Sequence, residues 1–498
     1  MSSGSPPVPG LAERASDCAR RLRAAKQVLL VSHIDADGLT SAAIATIALQ
    51  RAGIPVETVF EKQLDTDSIT SIAARDHDIV LFTDFGSGQL DVIADHEAAG
   101  AFTPVIADHH QPADAETQYH LNPLLEGIDG ASELSGAGAA YLLARALDEV
   151  SGETTPDGGV VGGNSPHIGT VNRPTDNRDL AGLAVVGAVG DMQDGADGLR
   201  GANEAIVEEG VAAGVIKSDR DLAFYGRQTR PLPKLLEYAS EVRIPGITND
   251  ESGAIAFLTD LNLDLKQNGD WRRWVDLGDA EQQTLVSALV SRAVSSGVPS
   301  GHIDKLVGTT YTLLDEDQGT ELRDVSEFST VLNATARYER ADVGLAVCLG
   351  NRGPALEQAR TLLRNHRRNL SEGLDWVTST GVTRENNLQW FDAEDRIRET
   401  IVGIIAGMAV GAPGVDRETP IVAFAEKSNT EVKVSARATS TLVGGGLDLS
   451  IVMREAAQTV GGDGGGHDVA AGATIPAGNR QAFLEAADGL VTSQLNSE

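Results

Sequence analysis

Aspartate and histidine gather where the apolar runs of this chain stop. Val28–Val31 runs into Ser32-His33-Ile34-Asp35-Ala36-Asp37-Gly38, and Ile79–Phe82 into Thr83-Asp84-Phe85-Gly86. Val105–Ala107 runs into Asp108-His109-His110, and Leu183–Val189 into Gly190-Asp191. Carboxylates crowded together repel one another and cannot all stay ionised without a counter-charge. Divalent cations supply one, and mixed imidazole and carboxylate donors suit Mn²⁺ or another transition ion better than Ca²⁺. Two such ions, about 3.5–4 Å apart and joined by a bridging carboxylate, can activate a water and hold both oxygens of an in-line phosphoryl displacement. A lone Asp at a strand end is commonly a helix cap or turn former. The same chemistry at the ends of four runs points to one shared site.

These side chains can meet only if the runs are neighbouring strands. Val28–Ser32, Val56–Phe60, Ile79–Thr83 and Val105–Ala107 are separated by helical segments such as Leu39–Arg51. Continuous apolar runs alternating with helices predict an α/β fold with a mainly parallel sheet buried on both faces. The carboxyl ends of its strands then line one crevice, and Leu183–Val189 is read as a further strand of the same kind. Ser135 is placed to cap a helix running to Val150. Residues 1–20 are expected to be a disordered N-terminus, 21–217 a catalytic domain with a surface insertion at 151–178, 218–324 a helical connector or inserted module, and 325–498 a smaller C-terminal α/β domain.

At 498 residues the chain is too long for one core, and its 41% hydrophobic content excludes wholesale disorder. Forty Lys and Arg against 72 Asp and Glu leave a net charge of −32, and only eight of the bases are lysines. Such a surface fits concentrated salt, where the Debye length shrinks to roughly 3 Å and the field that repels nucleic acid is screened. The expectation is a halophile's cytoplasmic protein. Cys18 and Cys348 cannot make a disulfide framework. Ile401–Ala412 is shorter than the ~20 residues a membrane span needs, and nothing at the start reads as a secretion leader.

The motifs resemble those of the DHH superfamily of phosphoesterases: His33, Asp35, Asp37 with Gly38, then Asp84, then Asp108-His109-His110, then Gly190-Asp191. Gly464-Gly465-Gly466-His467 resembles the signature of the DHH-associated C-terminal domain. Asp221–Arg227, Phe328–Ala334, Val432–Arg437 and Gly464–Ala473 are similar to archaeal RecJ-like single-strand exonucleases. The resemblance implies that His33, Asp35 and Asp84 hold one ion and that Asp37, Asp84, His109 and Asp191 hold the other, Mn²⁺ with Mg²⁺ or Co²⁺ as substitutes. Asp108 would orient its neighbours, and His110 would face the scissile phosphate. The glycines of Gly464–Gly466 let a phosphate approach the backbone N–H groups. His467, Ser435, Arg437 and Arg337 join them as candidate substrate contacts.

The function implied is stepwise hydrolysis of single-stranded DNA or RNA from an end, in DNA repair or replication, within a cleft closed by the C-terminal domain. An oligoribonuclease or cyclic-dinucleotide phosphodiesterase is a rival on the same site. An inorganic pyrophosphatase shares the metal motifs but would not carry Gly464–His467. A scaffold docking a GINS-type replisome partner is the non-catalytic rival. Arg360, Arg364, Arg367 and Arg368 form a basic stripe read as a solvated face before a nucleic-acid track. Trp271 and Trp274, read one helical turn apart, are assigned to core packing before base stacking.

Overall fold

The computed structural model describes residues 6–152, 176–195, 197–239 and 241–495. The insertion expected over 151–178 lies almost entirely outside the described residues. The chain divides into two compact units, Met1–Arg360 and Thr361–Glu498.

In the first unit β1 (Val28–His33), β2 (Val56–Glu61), β3 (Ile79–Thr83), β4 (Thr103–Ala107) and β5 (His120–Leu121) form a sheet of order β2-β1-β3-β4-β5. All its pairings are parallel. The chain leaves β1 toward β2 and then crosses to β3 on the other side. The carboxyl ends of β1 and β3 therefore flank the crevice that such a reversal opens. Val28–Val31 and Ile79–Thr83 are buried throughout. Strands covered on both faces need no polar alternation, so they read as unbroken apolar runs.

Helices α1 (Ala12–Arg23), α2 (Ala36–Arg51), α3 (Gly136–Gly152) and α4 (Ala181–Gly190) pack together, α2 against both α3 and α4. Ser135 does cap α3, its hydroxyl accepting from Gly138 N at 3.2 Å. Two expectations are corrected here. Residues 12–20 belong to α1, whose Ala15, Cys18, Ala19 and Leu22 are buried with the helix packed on α3; the disordered composition ends before this apolar face begins. Leu183–Val189 is a helix, not a strand. Its small residues are buried on nearly every side, and a helix without a polar stripe cannot be told from a core strand by periodicity.

Helices α5 (Val325–Arg337) and α6 (Ala341–Cys348) pack on α2 and α4. The apolar runs from Val325, read as opening the C-terminal domain, are thus held in the first unit's core. Between these parts, β6 (Ile216–Leu222) and β7 (Val307–Leu313) pair antiparallel and bracket a module with its own core around Leu232, Trp274 and Leu285. Trp274 is buried and its indole donates to Asp221 at 3.1 Å. Trp271 ends a short strand and Trp274 starts a 3₁₀ turn, so the pair does not sit on successive helix turns.

A long helix, α7 (Pro354–Thr380), leads into the second unit. There β8 (Thr383–Arg384), β9 (Gln389–Asp392), β10 (Ile421–Glu426), β11 (Glu431–Arg437), β12 (Asp463–Gly466) and β13 (Ala470–Pro476) form a mixed sheet of order β8-β9-β10-β11-β13-β12. One face carries α8 (Glu399–Ala409), with Ile401, Val402 and Ile405 against Ile421, Ala423 and Ala425. The other carries α9 (Leu449–Thr459) and α10 (Arg480–Leu495), with Met453 and Phe483 against Phe424, Val432 and Val434. Among the described residues no helix is long and apolar enough to cross a membrane.

Candidate metal centre

The site assembles at the carboxyl ends of β1, β3 and β4. His33 ends β1, with Nδ1 3.1 Å from Asp35 Oδ2 and 3.6 Å from Asp84 Oδ2. Asp35 is also the N-cap of α2. Its Oδ1 accepts from Gly38 N at 2.9 Å, which leaves Oδ2 toward His33. Asp37, one residue into α2, is buried and accepts from the first amides of α3: Gly136 N at 2.7 Å and Ala137 N at 2.9 Å. A helix start directs partial positive charge at that carboxylate.

Asp84 follows β3 with φ of 60°, a left-handed conformation that Asp tolerates better than most residues. Its space is guarded by Gly136, where a Cβ would stand 2.5 Å from Asp84 Oδ1. Gly187 of α4 does the same for Asp37, since a Cβ there would stand 2.5 Å from Asp37 Oδ1.

His109 follows Asp108 at the end of β4. Its Nδ1 is 2.7 Å from the carbonyl oxygen of Gly130. A carbonyl only accepts, so Nδ1 carries a proton. Nε2 then faces three carboxylates: Asp84 Oδ1 at 3.3 Å, Asp37 Oδ2 at 3.8 Å and Asp191 Oδ2 at 3.8 Å. Asp191 caps the end of α4 rather than a strand, and Gln193 Nε2 donates to it at 2.8 Å. Gln193 in turn accepts from Asn203 at 2.7 Å.

Asp108 is fully buried and holds its surroundings together. It accepts from Ser87 N at 2.9 Å, from His109 N at 2.7 Å and from His110 Nδ1 at 2.8 Å. The His110 side chain is 55% exposed, so its Nε2 side opens outward. Asn122, completely buried, donates to Ser87 Oγ and to the His110 carbonyl, both at 2.9 Å.

The electrostatics are those of too many anions in one place. Burial, then Asp84 and Asp191, push the Asp37 carboxyl well up. Burial pushes Asp191 up as well, with His109 opposing it. Burial would lower His33, but Asp35 and Asp84 outweigh it and raise the imidazole to about 11. His109 is likewise raised by Asp84 against its burial. Asp84 is held below the usual carboxylate range because His109 and His33 overcome its burial. Asp108 is brought to about 2 in the same way by His110.

Two buried ligand atoms, Asp84 Oδ2 and His109 Nε2, have no hydrogen-bond partner. A buried polar atom left so is costly, and these two sit among donors suited to a transition ion. His33, Asp35 and Asp84 offer ligand atoms all within 4.8 Å of one another, and so do Asp37, His109 and Asp191. Asp84, Asp108, His109 and His110 form a third such group. The residues fit divalent ions.

The expected metal ligands, with Asp108 and His110, are thus brought together in the first unit. The substrate candidates are more dispersed. Arg337 is exposed at the end of α5 in the first unit. In the second unit Gly464, Gly465 and Gly466 form the edge strand β12, His467 is exposed just beyond it, and buried Ser435 and half-buried Arg437 lie on β11. Arg360 of the basic stripe pairs with Glu321 and Glu357. Gly136, Gly187, Ser87, Asn122 and Gln193 were not legible as site residues. Apart from Gln193, which lies two residues from Asp191, their contacts with the site lie a dozen to more than a hundred residues away, and no local pattern marks them.

Three family models match the chain: the DHH family N-terminal domain over residues 27–157, the DHH-CID domain over 224–307 and the DHHA1 domain over 389–493. An uncharacterized protein of Methanocaldococcus jannaschii is 27% identical over 476 residues, 94% of each chain. Among solved structures, RecJ from Thermus thermophilus in complex with Mn²⁺ is 18% identical with a TM-score of 0.58, covering 98% of this chain and 55% of that one. This chain therefore spans about half the length of that RecJ. An exonuclease RecJ bound to manganese is 17% identical with a TM-score of 0.57, over 97% of this chain and 95% of that one. CDC45 from Entamoeba histolytica is 11% identical with a TM-score of 0.60, over 97% of both chains. These structural likenesses bear on the fold.

Proposed function

The chain belongs to the DHH superfamily of phosphoesterases and has a RecJ-like fold, and from that premise we propose that it hydrolyses single-stranded nucleic acid stepwise from an end. The reading is carried by the orphaned pair Asp84 Oδ2 and His109 Nε2, buried among further carboxylates and imidazole. His33, Asp35 and Asp84 would hold one divalent ion, and Asp37, His109 and Asp191, with Asp84 shared, would hold the other. Mixed donors favour Mn²⁺, with Mg²⁺ or Co²⁺ as substitutes. When bound, the ions supply an activated water and charge for in-line displacement.

The protein's own groups do the rest. Gly130 fixes the His109 tautomer through Nδ1, a second layer that orients a ligand. Asp108 accepts from His110 Nδ1 and so aims the outer edge of that ring. From there His110 would donate a proton or hydrogen bond to a phosphate or leaving oxygen.

The test is Asp84→Ala assayed with Mn²⁺ on end-labelled single strands of DNA and RNA. Hydrolysis near the wild-type rate would sink the reading. Label position in the first product reports polarity, and competition by short oligonucleotides separates a polymer substrate from a dinucleotide. The likeness to CDC45 supports a second reading, a scaffold for a replisome partner of the GINS type. A scaffold alone has no use for the clustered ligands, and a wild-type protein inert toward all strands would favour it.

A further inference from the structure

One face of the second unit's sheet carries a cation that has no hydrogen-bond or ion-pair partner among the described residues. Val432, Val434 and Ala436 of β11 are in the core beneath α9 and α10, so Lys433, Ser435 and Arg437 point to the opposite face. Helix α8 lies on β10 and β11. Next to its cover, Ser435 stands across from Gly472 of β13, and Gly472 across from Gly465 of β12. Two adjacent strands, ~4.8 Å apart, thus present backbone without side chains. Nothing lies within 4 Å of where a Cβ on Gly465 would be.

Lys433 leans over this strip, its Nζ 3.4 Å from the position a Cβ on Gly472 would take. Among the described residues it makes no hydrogen bond and no ion pair. Burial pushes its pKa down, Glu399 opposes that, and Lys427 and Arg437 add to it. Lys427 is itself engaged by Glu431 at 3.3 Å. A half-buried ammonium with no hydrogen-bond acceptor is unfavourable, and in a chain of net charge −32 a cationic corner facing bare backbone suits an anion that needs the space side chains would fill.

We propose that Lys433, over the bare strip of Gly465 and Gly472, contacts a non-reacting phosphate of the nucleic-acid strand. The inference rests on the phosphodiesterase reading and adds to it a binding contact on β11. The type of cation matters. A guanidinium would lock a phosphate in a two-pronged grip, whereas an ammonium is a point charge with three rotatable donors. A point charge over smooth backbone can pass successive phosphates along, as stepwise digestion requires.

The experiment measures binding of a fluorescent oligothymidylate to the full-length protein over a KCl series, with Ca²⁺ replacing Mn²⁺ to hold hydrolysis. Each phosphate neutralised on a single strand contributes ~0.7 to the slope of log K against log salt. Lys433→Met should lower that slope by about this amount and weaken binding roughly tenfold at the lowest salt, the scale of one charge-assisted contact. Lys433→Arg should keep the slope. If the Met variant fails to fold, Lys433→Gln carries the same expectation. A wild-type slope and affinity in the charge-removing variant overturns the proposal. A wild-type protein that binds strands but never cleaves them with Mn²⁺ sinks the phosphodiesterase reading and leaves Lys433 standing. Cleavage with an unchanged slope does the reverse.

Discussion

His109 presents its Nε2 edge to Asp84 because Gly130 occupies the other edge: Nδ1 is 2.7 Å from the Gly130 carbonyl, and Nε2 is 3.3 Å from Asp84 Oδ1. Asp35, Asp37 and Asp191 are likewise held by contacts of their own, with Gly38 N, with Gly136 N and Ala137 N, and with Gln193 Nε2.

His33 is the first consequence. Asp35 and Asp84 hold its imidazole protonated up to about 11 against burial, and a metal ligand must be deprotonated. Loading Mn²⁺ near neutral pH should therefore expel protons. Calorimetry in two buffers of different ionisation enthalpy measures this; a buffer-dependent heat that is unchanged in His33→Asn would remove His33 from the ligand set, and identical heats in both buffers would count against protonated imidazoles at the centre altogether.

Asp108→Asn keeps the shape around Ser87 but removes the charge that steers His110. Turnover should fall by ~10²–10⁴-fold, the range for a positioned proton donor, while KM stays close to wild type. Asn122→Ala, acting through Ser87 and the His110 carbonyl, should give a smaller loss of the same kind. A rise in KM with unaltered kcat in either variant would assign these residues to binding instead.

Gly136→Ala places a methyl 2.5 Å from Asp84 Oδ1 while leaving a backbone that any residue can adopt. Mn²⁺ affinity should fall ~10–100-fold, as when a supporting contact to a ligand is lost, with circular dichroism unchanged. Titration with Mn²⁺ measures it, and wild-type affinity would show that α3 does not constrain the centre.

Glu327 makes stability depend on pH. Burial, with Asp324 nearby, pushes its pKa from 4.5 to about 7, while Gln228 N donates to it at 2.8 Å. The folded state thus holds a proton that the unfolded state releases. Stability should be full below about 4.5 and decline as pH rises toward about 7, by on the order of 3 kcal/mol. Glu327→Gln mimics the protonated acid and should melt higher than wild type at alkaline pH and alike at acid pH. Parallel melting curves at every pH would refute this.

The strand ends were readable because a doubly covered strand leaves no polar residue in its run, so the first Asp or His after it stands out. That logic found His33, Asp84 and Asp108–His110. It reached Asp191 for the wrong reason, since α4 is a helix whose Ala and Gly residues mimic a core strand. It could not see why Asp37 is held, because the two amides that hold it lie about a hundred residues on, at Gly136 and Ala137. Close approach is a property of packing, and glycines that permit it look in sequence like any others.

The left-handed backbone at Asp84 also narrows the evolutionary future of this position. Asn and Gly can inherit that turn without strain, while Val or Ile would bend the peptide away from β3. A descendant that lost this acidic ligand but kept its architecture would therefore favour one of those two letters there.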